Sequence, residues 1–401
     1  MFFSIHTKFY DERFTHCQLV DNYFVSLDQG WSKLESNDTV VFYKGYCDEY
    51  PMATVVADLL TDPTPRHNGN FAAIIIGPNQ LTLTHDCCRS FPLNLDCNGY
   101  LTNITKQNSV QSFWSDTYVV YEGQEPLARS FDPYKDLNLE FNKQYVYKYV
   151  DEVAALLSNK TKYLNESDLD LNLYVSCGLD TTLLYAIART KLTKEYNLLN
   201  YEHIDYDKFL IKNYPQLRKE YAVYNQFHVW KDPTIVFSGA PGDEYFMRGP
   251  YVAAHWAAWH DIDLIEILQS ENNTNYHKMH FLKPANAKNI QQIWNTREQL
   301  KDHYPEYKDL CKHILDINSN DHQMWHCNNT ITWTPFKDLR LLAGILCLPT
   351  EAILGQILNG DISRVLINRF DPTVSNIIDQ YKNYQSFKRI QNDPQLENLF
   401  G

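Results

Sequence analysis

The sequence predicts a chain of two parts: an N-terminal α+β region rich in strands, and a C-terminal α/β region with a parallel sheet and added helices. Short runs of β-favouring residues up to about residue 125 predict the first part. Helices that alternate with apolar strands from about residue 143 predict the second, because such alternation builds a parallel sheet covered on both faces. We place the domains at 1–125 and 145–401, with a polar linker at 126–144.

In the N-terminal region, β-rich runs predict strands at residues 40–43, 71–76 and 81–84. The turn residues 77–80 separate the last two runs, so these two should form a hairpin. Residues 52–60 predict a short helix.

In the C-terminal region, the pattern predicts strands at 171–175, 196–204 and 234–237. The segments between and around them predict helices, at residues 145–157, 181–191, 206–226, 253–264, 290–303, 339–346 and 350–358.

Composition excludes several classes of protein. A net charge of −13, from 36 basic and 49 acidic residues, argues against a nucleic-acid partner, since phosphate binding needs clustered Lys and Arg. Nine cysteines without a CxxC pair argue against a zinc site and a disulfide scaffold. No apolar run is long enough for a membrane span, and no signal peptide is recognisable. We therefore expect a cytoplasmic protein with reduced thiols; a homodimer is compatible with the sequence.

Two short loops each follow an apolar strand and combine small residues with an Asp. Each loop taken alone fits an ordinary turn with a capping Asp. Together they predict one nucleotide site, with backbone N–H groups facing phosphate at a helix N-terminus and with Asp180 and Asp243 as Mg²⁺ ligands. The residues of the two loops are Ser176, Cys177, Gly178, Leu179, Asp180, Thr181 and Thr182, and Ser238, Gly239, Ala240, Pro241, Gly242, Asp243 and Glu244.

These loops resemble motifs of known enzymes. The first is similar to the SGGxDS pyrophosphate loop of the PP-loop ATP pyrophosphatases, and the second to the SGxGxDExFxGY loop of the asparagine synthetase family. Residues 335–341 and 346–349 resemble the PFLDxRL…LxLP helix of that family. Residues 69–72, Asp86 and the pair Pro92-Leu93 are similar to its N-terminal glutaminase domain, which has an Ntn-hydrolase fold.

The resemblance implies an ATP-dependent, AMP-forming amide ligase. A carboxylate substrate would be adenylated by Mg-ATP, and ammonia or an amine would then attack to form an amide. The first loop would hold the pyrophosphate, Asp180 and Asp243 would hold Mg²⁺, and Ser238 and Gly239 would lie near the α-phosphate or the adenosine. Lys382 is the nearest match to the late Lys that stabilises the transition state in this family, and an ordinary solvated surface Lys is the alternative that its context favours.

The sequence departs from the family at several positions. Phe2 stands where the family has the nucleophilic Cys after Met1, and Lys44-Gly45 is the nearest counterpart of its oxyanion pair. We therefore predict a glutaminase-like fold without glutaminase activity, as in the β-lactam synthetases. In the second loop, Ala240 replaces an acid/base residue and Pro241 replaces a Gly, and Glu244 is the candidate substitute.

Other interpretations remain open. The chain could be another PP-loop adenylating enzyme, or an inactive homologue that only binds nucleotide. Trp256, Trp259 and His260 could line a pocket, but helical spacing favours a place in the core. The spacing of His322, His326 and Cys327 lacks a second ligand pair, which disfavours a metal site.

Overall fold

The computed structural model describes most of the chain, and every structural statement below concerns the part that it describes. The described residues are 3–6, 8, 10–12, 14, 16–28, 30–78, 80–88, 93–96, 100–102, 109–113, 117–122, 125–175, 178–200, 221–223, 232–270, 281–320 and 330–375. The predicted residues Phe2, Pro92, Ser176, Cys177, His322, His326, Cys327 and Lys382 lie outside these ranges.

The N-terminal region forms two antiparallel sheets of six strands each. The first has the order β10-β8-β9-β1-β3-β2, and the second has the order β12-β11-β7-β6-β5-β4. The strands are β1 Phe3–His6, β2 His16–Val20, β3 Tyr23–Leu27, β4 Ser32–Ser36, β5 Thr39–Cys47, β6 Gly69–Gly77, β7 Gln80–His85, β8 Leu93–Asp96, β9 Leu101–Thr102, β10 Ser109–Phe113, β11 Thr117–Glu122 and β12 Glu125–Ser130.

The two sheets share one apolar core. Ile5 and Val25 of the first sheet cluster with Ile74 and Leu83 of the second, because alternate side chains of each strand point to the shared interior. The helix α1, Met52–Thr61, packs its apolar side on the opposite face of the second sheet. The predicted strands, the β6–β7 hairpin and α1 are confirmed.

The C-terminal region is built on a five-stranded parallel sheet of order β15-β14-β13-β16-β17. The chain adds β14 and β15 on one side of β13 and then returns to place β16 on the other side. This reversal makes a topological switch point between β13 and β16, where the connecting loops diverge. The strands are β13 Asp170–Tyr174, β14 Asn197–Asn200, β15 Tyr221–Val223, β16 Thr234–Phe237 and β17 Thr330–Trp333.

Helices surround this sheet and share a single apolar core with it. Leu173 and Phe237 of the sheet cluster with Leu183, Trp256 and Leu342 of the helices. The helices of the described part are α2 Val146–Glu166, α3 Leu179–Lys191, α4 Gly242–Tyr245, α5 Pro250–Trp259, α6 Leu264–Ser270, α7 Pro284–Asn295, α8 Arg297–His303, α9 Tyr307–Asn320, α10 Leu339–Leu346, α11 Thr350–Asn359 and α12 Asp361–Phe370. Among them, none is both long and apolar enough to cross a membrane.

Two predictions about local structure are wrong. The linker predicted at 126–144 starts too early, because Glu125–Ser130 is a strand that pairs with β11. The helix predicted at 206–226 is interrupted by Tyr221–Val223, which pairs in parallel with β14. In both cases hydrogen bonds to a neighbouring strand decide the conformation, which a local pattern does not reveal. The rest of the 206–226 prediction lies outside the described residues.

Two predicted long helices are each broken in two. The helix predicted at 253–264 ends at Trp259, and Asp261 takes a left-handed conformation with φ 58°. The Asp263 side chain then accepts hydrogen bonds from the N–H groups of Ile265 and Glu266, which starts α6. The helix predicted at 290–303 is interrupted at Thr296.

A set of charges with a buried centre joins the two regions, and we call it the interface cluster: Asp48, Glu49, Lys160, Asp338 and Arg340. Lys160, Asp48 and Asp338 are buried, and Arg340 and Glu49 reach the surface. Lys160 Nζ lies 2.5 Å from Asp48 Oδ2 and 3.0 Å from Asp338 Oδ2. Arg340 bridges Asp338 and Glu49. Because Asp48 follows β5 and Asp338 follows β17, these ion pairs fix the N-terminal sheets against the carboxyl side of the parallel sheet.

Candidate functional site

The two predicted loops come together at the switch point of the parallel sheet. β13 and β16 are adjacent parallel strands, with Leu171 opposite Ile235 and Leu173 opposite Phe237. Both loops leave the carboxyl ends of these strands, so they meet at one edge of the sheet. The structure therefore brings the described parts of the two loops together, and the nucleotide site that they predict stays a prediction.

Two glycines of the second loop allow it to pack directly on the first. A Cβ placed on Gly242 would lie 2.5 Å from Cγ of Asp180, and one on Gly239 would lie 3.2 Å from the backbone nitrogen of Thr181. No side chain fits at Gly242 unless Asp180 moves. These glycines thus serve the contact between the two loops.

In the first loop, Gly178 precedes the first turn of α3 in an extended conformation. Because glycine has no side chain, no side-chain hydrogen bond caps this end of the helix. The Thr181 hydroxyl donates to the Gly178 carbonyl at 3.3 Å, and the Thr182 N–H donates to it at 3.0 Å. The Leu179 and Thr182 side chains are each 2% exposed. Their side chains therefore belong to the interior, and of the two residues Leu179 can contribute its backbone N–H, since the N–H of Thr182 is already bonded to Gly178.

In the second loop, Ser238 holds the turn. Its N–H donates to the Trp333 carbonyl at 2.9 Å, and its hydroxyl accepts from the Ala240 N–H at 3.2 Å. The Gly242 N–H donates to the Gly239 carbonyl at 2.8 Å. Ala240, at the position where the family has an acid/base residue, is exposed.

A buried arginine that the motif comparison did not single out links the two loops. Arg248 Nη2 donates to Asp180 Oδ1, and it also lies 2.8 Å from Asp243 Oδ1. The Arg248 side chain is 1% exposed, against 15% for Asp180 and 50% for Asp243. We call Asp180, Asp243 and Arg248 the edge cluster. Arg248 Nε is buried and has no hydrogen-bond partner among the described residues.

The sequence did carry a signal for Arg248. It directly follows the apolar run Tyr245-Phe246-Met247, and all three of these residues are buried in the structure. A charged residue inside a run of buried residues needs a buried partner, because an unpaired charge in the interior is costly.

Burial shifts the pKa values of two carboxyl groups at the edge cluster, those of Asp180 and Glu244. Burial raises the pKa of the Asp180 carboxyl, and the Arg248 guanidinium opposes that shift. Burial, and then the charge of Asp243, raise the pKa of Glu244 to about 7. Glu244 can therefore accept or donate a proton near neutral pH, which is the property required of the predicted acid/base residue.

Asp180 and Asp243 do not fit a magnesium ion as they are arranged here. Mg²⁺ requires an octahedron of oxygen ligands at about 2.0–2.1 Å. One oxygen of each carboxylate instead contacts the same guanidinium nitrogen of Arg248. Elsewhere in the described ranges, no group of three or more His, Cys, Asp or Glu side chains is arranged to hold a metal.

Of the aromatic residues considered as a pocket, Trp256 lies in the core, and Trp259 and His260 are half-buried beside it. Trp256 is fully buried, and the His260 ring lies 4.7 Å from the Trp256 ring and 4.9 Å from that of Phe141. Trp259 Nε1 donates to the Tyr304 carbonyl at 2.9 Å. Burial lowers the pKa of His260 to about 4. The predicted place in the core is therefore confirmed for Trp256, while Trp259 and His260 pack against the core and stay half-buried.

At the predicted counterpart of the glutaminase oxyanion pair, the structure has a buried ion pair. Lys44 Nζ lies 3.1 Å from Asp28 Oδ1, and both side chains are almost fully buried. Trp31 Nε1 also donates to Asp28 at 2.7 Å. Gly45 has φ 114°, and a Cβ there would lie 2.0 Å from the Asn70 carbonyl oxygen.

Comparison with known proteins adds little. No family model and no curated protein matches the chain. Among solved structures, the chain is similar to glutamine phosphoribosylpyrophosphate amidotransferase from B. subtilis in complex with ADP and GMP. The identity is 8%, the match covers 50% of this chain and 67% of that one, and the TM-score is 0.23. At these values we draw no functional conclusion from the likeness.

Proposed function

We propose that this protein is an ATP-dependent, AMP-forming amide ligase that resembles asparagine synthetase and does not hydrolyse glutamine. The observation that carries the proposal is the meeting of the two loops at the switch point between β13 and β16. In open α/β sheets, ligands bind outside the carboxyl ends of the strands at such a point.

The site offers donors for an anionic ligand such as a nucleotide phosphate. The first turn of α3 presents the backbone N–H groups of Leu179 and Asp180 together with the positive end of the helix dipole. The unpartnered Nε–H of the buried Arg248 lies in the same cluster of side chains. In this proposal the pyrophosphate end of ATP binds at the first loop, and Ser238 and Gly239 lie towards the α-phosphate.

The reaction has two steps. A substrate carboxylate oxygen attacks the α-phosphorus of ATP, the α–β phosphoanhydride bond breaks, and pyrophosphate leaves with the bonding electron pair. Ammonia or an amine then attacks the acyl carbon of the adenylate, AMP leaves, and the nitrogen loses a proton. Glu244, with its pKa raised to about 7 by burial, is the proposed acceptor of that proton. The role of Lys382 stays a prediction, because this residue lies outside the described part of the chain.

In this proposal, Mg²⁺ is bound by the nucleotide phosphates and not by protein side chains. Asp180 and Asp243 do not fit the ion while Arg248 lies between them. We therefore assign no step to a protein-bound metal.

We propose that the N-terminal region is a glutaminase-like domain without glutaminase activity. The two packed antiparallel sheets support this proposal, as does the Lys44–Asp28 ion pair at the counterpart of the oxyanion position. A catalytic oxyanion hole needs donors that are free to bind the substrate. The test is release of glutamate from glutamine; clear turnover would contradict the proposal.

A second candidate is a nucleotide-binding protein without catalysis. Ala240 favours it, because this exposed position lacks the acid/base side chain of the family. Under this alternative, Glu244 would play no chemical role.

Pyrophosphate–ATP exchange, measured with labelled pyrophosphate across amino acids and small carboxylic acids, tests the proposal. Exchange that requires one acid supports the ligase. D180A should weaken that exchange, because it removes the carboxylate that holds Arg248 and joins the two loops. ATP binding without exchange supports the non-catalytic candidate. A chain that binds no ATP at all contradicts both.

A further inference from the structure

The edge cluster contains its own cation. Arg248 is almost completely buried and contacts a carboxylate of each loop through one nitrogen, Nη2. Its backbone is held as well, since the Arg248 N–H donates to the Asp243 carbonyl at 2.6 Å. The guanidinium is therefore anchored through both its side chain and its main chain.

The charges of the cluster explain why a cation is needed. Two carboxylates that share a partly buried site repel each other, and a cation between them removes most of that cost. The pKa of the Arg248 guanidinium is lowered by burial but raised by Asp180 and Asp243, and the net direction is upward. Arg248 therefore stays charged whenever the carboxylates are charged.

The space around Asp180 is closed on the side of the second loop. A Cβ on Gly242 would lie 2.6 Å from Asp180 Oδ1, which is the oxygen that contacts Arg248. This oxygen is thus enclosed by the Gly242 backbone and by the guanidinium. A hydrated divalent ion would have to displace one of them.

We infer that the Arg248 guanidinium permanently occupies the position between Asp180 and Asp243 that a divalent metal ion would otherwise take. The two carboxylates serve to hold the arginine and to join the loops. Removing the positive charge from this position should create a metal site in a protein that has none there. This inference goes beyond the proposed ligase activity and does not depend on it.

The test is the binding of Mn²⁺ to the full chain without nucleotide, followed through the electron paramagnetic resonance signal of free Mn²⁺. Arg248→Met keeps an unbranched apolar side chain and removes the charge, whereas Arg248→Lys is the matched control that keeps the charge. We expect Arg248→Met to bind one Mn²⁺ at least about tenfold more tightly than the wild type or Arg248→Lys. Adding Asp243→Asn to Arg248→Met should remove that ion.

Three results would overturn the inference: a wild-type chain that binds one Mn²⁺ lost in Asp243→Asn, equal binding by Arg248→Lys and Arg248→Met, or a folded Arg248→Met chain that binds no ion. If Arg248→Met does not fold, Mn²⁺ binding by the wild type is the test. One saturable Mn²⁺ that is lost in Asp243→Asn would contradict the inference, and the absence of saturable Mn²⁺ binding would support it. Because no nucleotide is present, the result is independent of whether the ligase proposal succeeds.

Discussion

Two clusters in this protein place one buried cation between two carboxylates, but they differ in exposure. The cation is Lys160 in the interface cluster and Arg248 in the edge cluster. The Asp48 and Asp338 side chains beside Lys160 are 3% and 0% exposed. Asp243 beside Arg248 is 50% exposed. The ion pairs of Lys160 are therefore closed to solvent, and the interface cluster reaches it only through Arg340 and Glu49. In the edge cluster, by contrast, a carboxylate that contacts the cation directly is itself exposed.

The difference shows how similar ion pairs can serve different purposes. Ion pairs that are buried on both sides, such as those of Lys160, act on stability and on the fit between the two regions. An open cluster at the carboxyl edge of a parallel sheet can meet a ligand. Position in the fold, and not the type of charge, separates the structural cluster from the candidate site.

The largest effect should follow from removing Lys160, the buried cation of the interface cluster. Lys160→Met leaves Asp48 uncompensated in the interior, and the free energy of unfolding should fall by about 3–5 kcal/mol. Urea denaturation measures the change. Lys148→Met, on the exposed face of the same helix, is the control and should cost less than about 1 kcal/mol. Equal losses in the two variants would contradict a structural role for the interface cluster.

The second prediction concerns how the stability of the folded protein depends on pH through Asp338. Burial alone would raise the pKa of Asp338, but Lys160 and Arg340 reverse this and hold it well below its usual range, despite the neighbouring Asp48 and Glu49. A lowered pKa stabilises the folded state above the ordinary value of about 3.9, and this stabilisation is lost as the pH falls towards the folded value.

Asp338→Asn should therefore cost about 2 kcal/mol at pH 7. The difference from the wild type should stay constant above about pH 5 and shrink below about pH 4. Urea denaturation at each pH tests this, and a difference that grows on acidification would show that the sign is wrong.

The third prediction concerns the contact between the loops of the open cluster. Gly242→Ala places a methyl group where Asp180 lies, so we expect a loss of about 1.5 kcal/mol and weaker binding of ATP. Gly77→Ala is the control, because the nearest atom to a Cβ there is 3.8 Å away. Thermal denaturation and equilibrium dialysis with labelled ATP measure the two effects. Unchanged ATP binding by a folded Gly242→Ala chain would show that ATP binding does not depend on the contact between the two loops.

The smallest effect should come from the turn of the second loop. Ser238→Ala removes the acceptor for the Ala240 N–H, at a cost of about 0.5–1 kcal/mol. Thermal denaturation measures it. Because Ala240 is exposed and water can replace the lost acceptor, a cost above about 2 kcal/mol would mean that the turn is more constrained than this hydrogen bond suggests.

Local patterns predicted much of the C-terminal fold. The apolar runs at 171–175 and 234–237 and the helix at 339–346 correspond to β13, β16 and α10. Elements that depend on distant partners were missed, such as β15, which pairs with β14, and β12, which pairs with β11. The break after Trp259 was also missed, because it depends on the left-handed conformation of Asp261.

The candidate site divides in the same way. Small residues and an Asp after each strand predicted where the two loops are, since strand, loop and helix are specified by neighbouring residues. The sequence alone thus determined the two loops and their place at the ends of β13 and β16. Only the tertiary structure decided that Arg248 lies between Asp180 and Asp243, because the partner of a buried charge is chosen by packing across the fold.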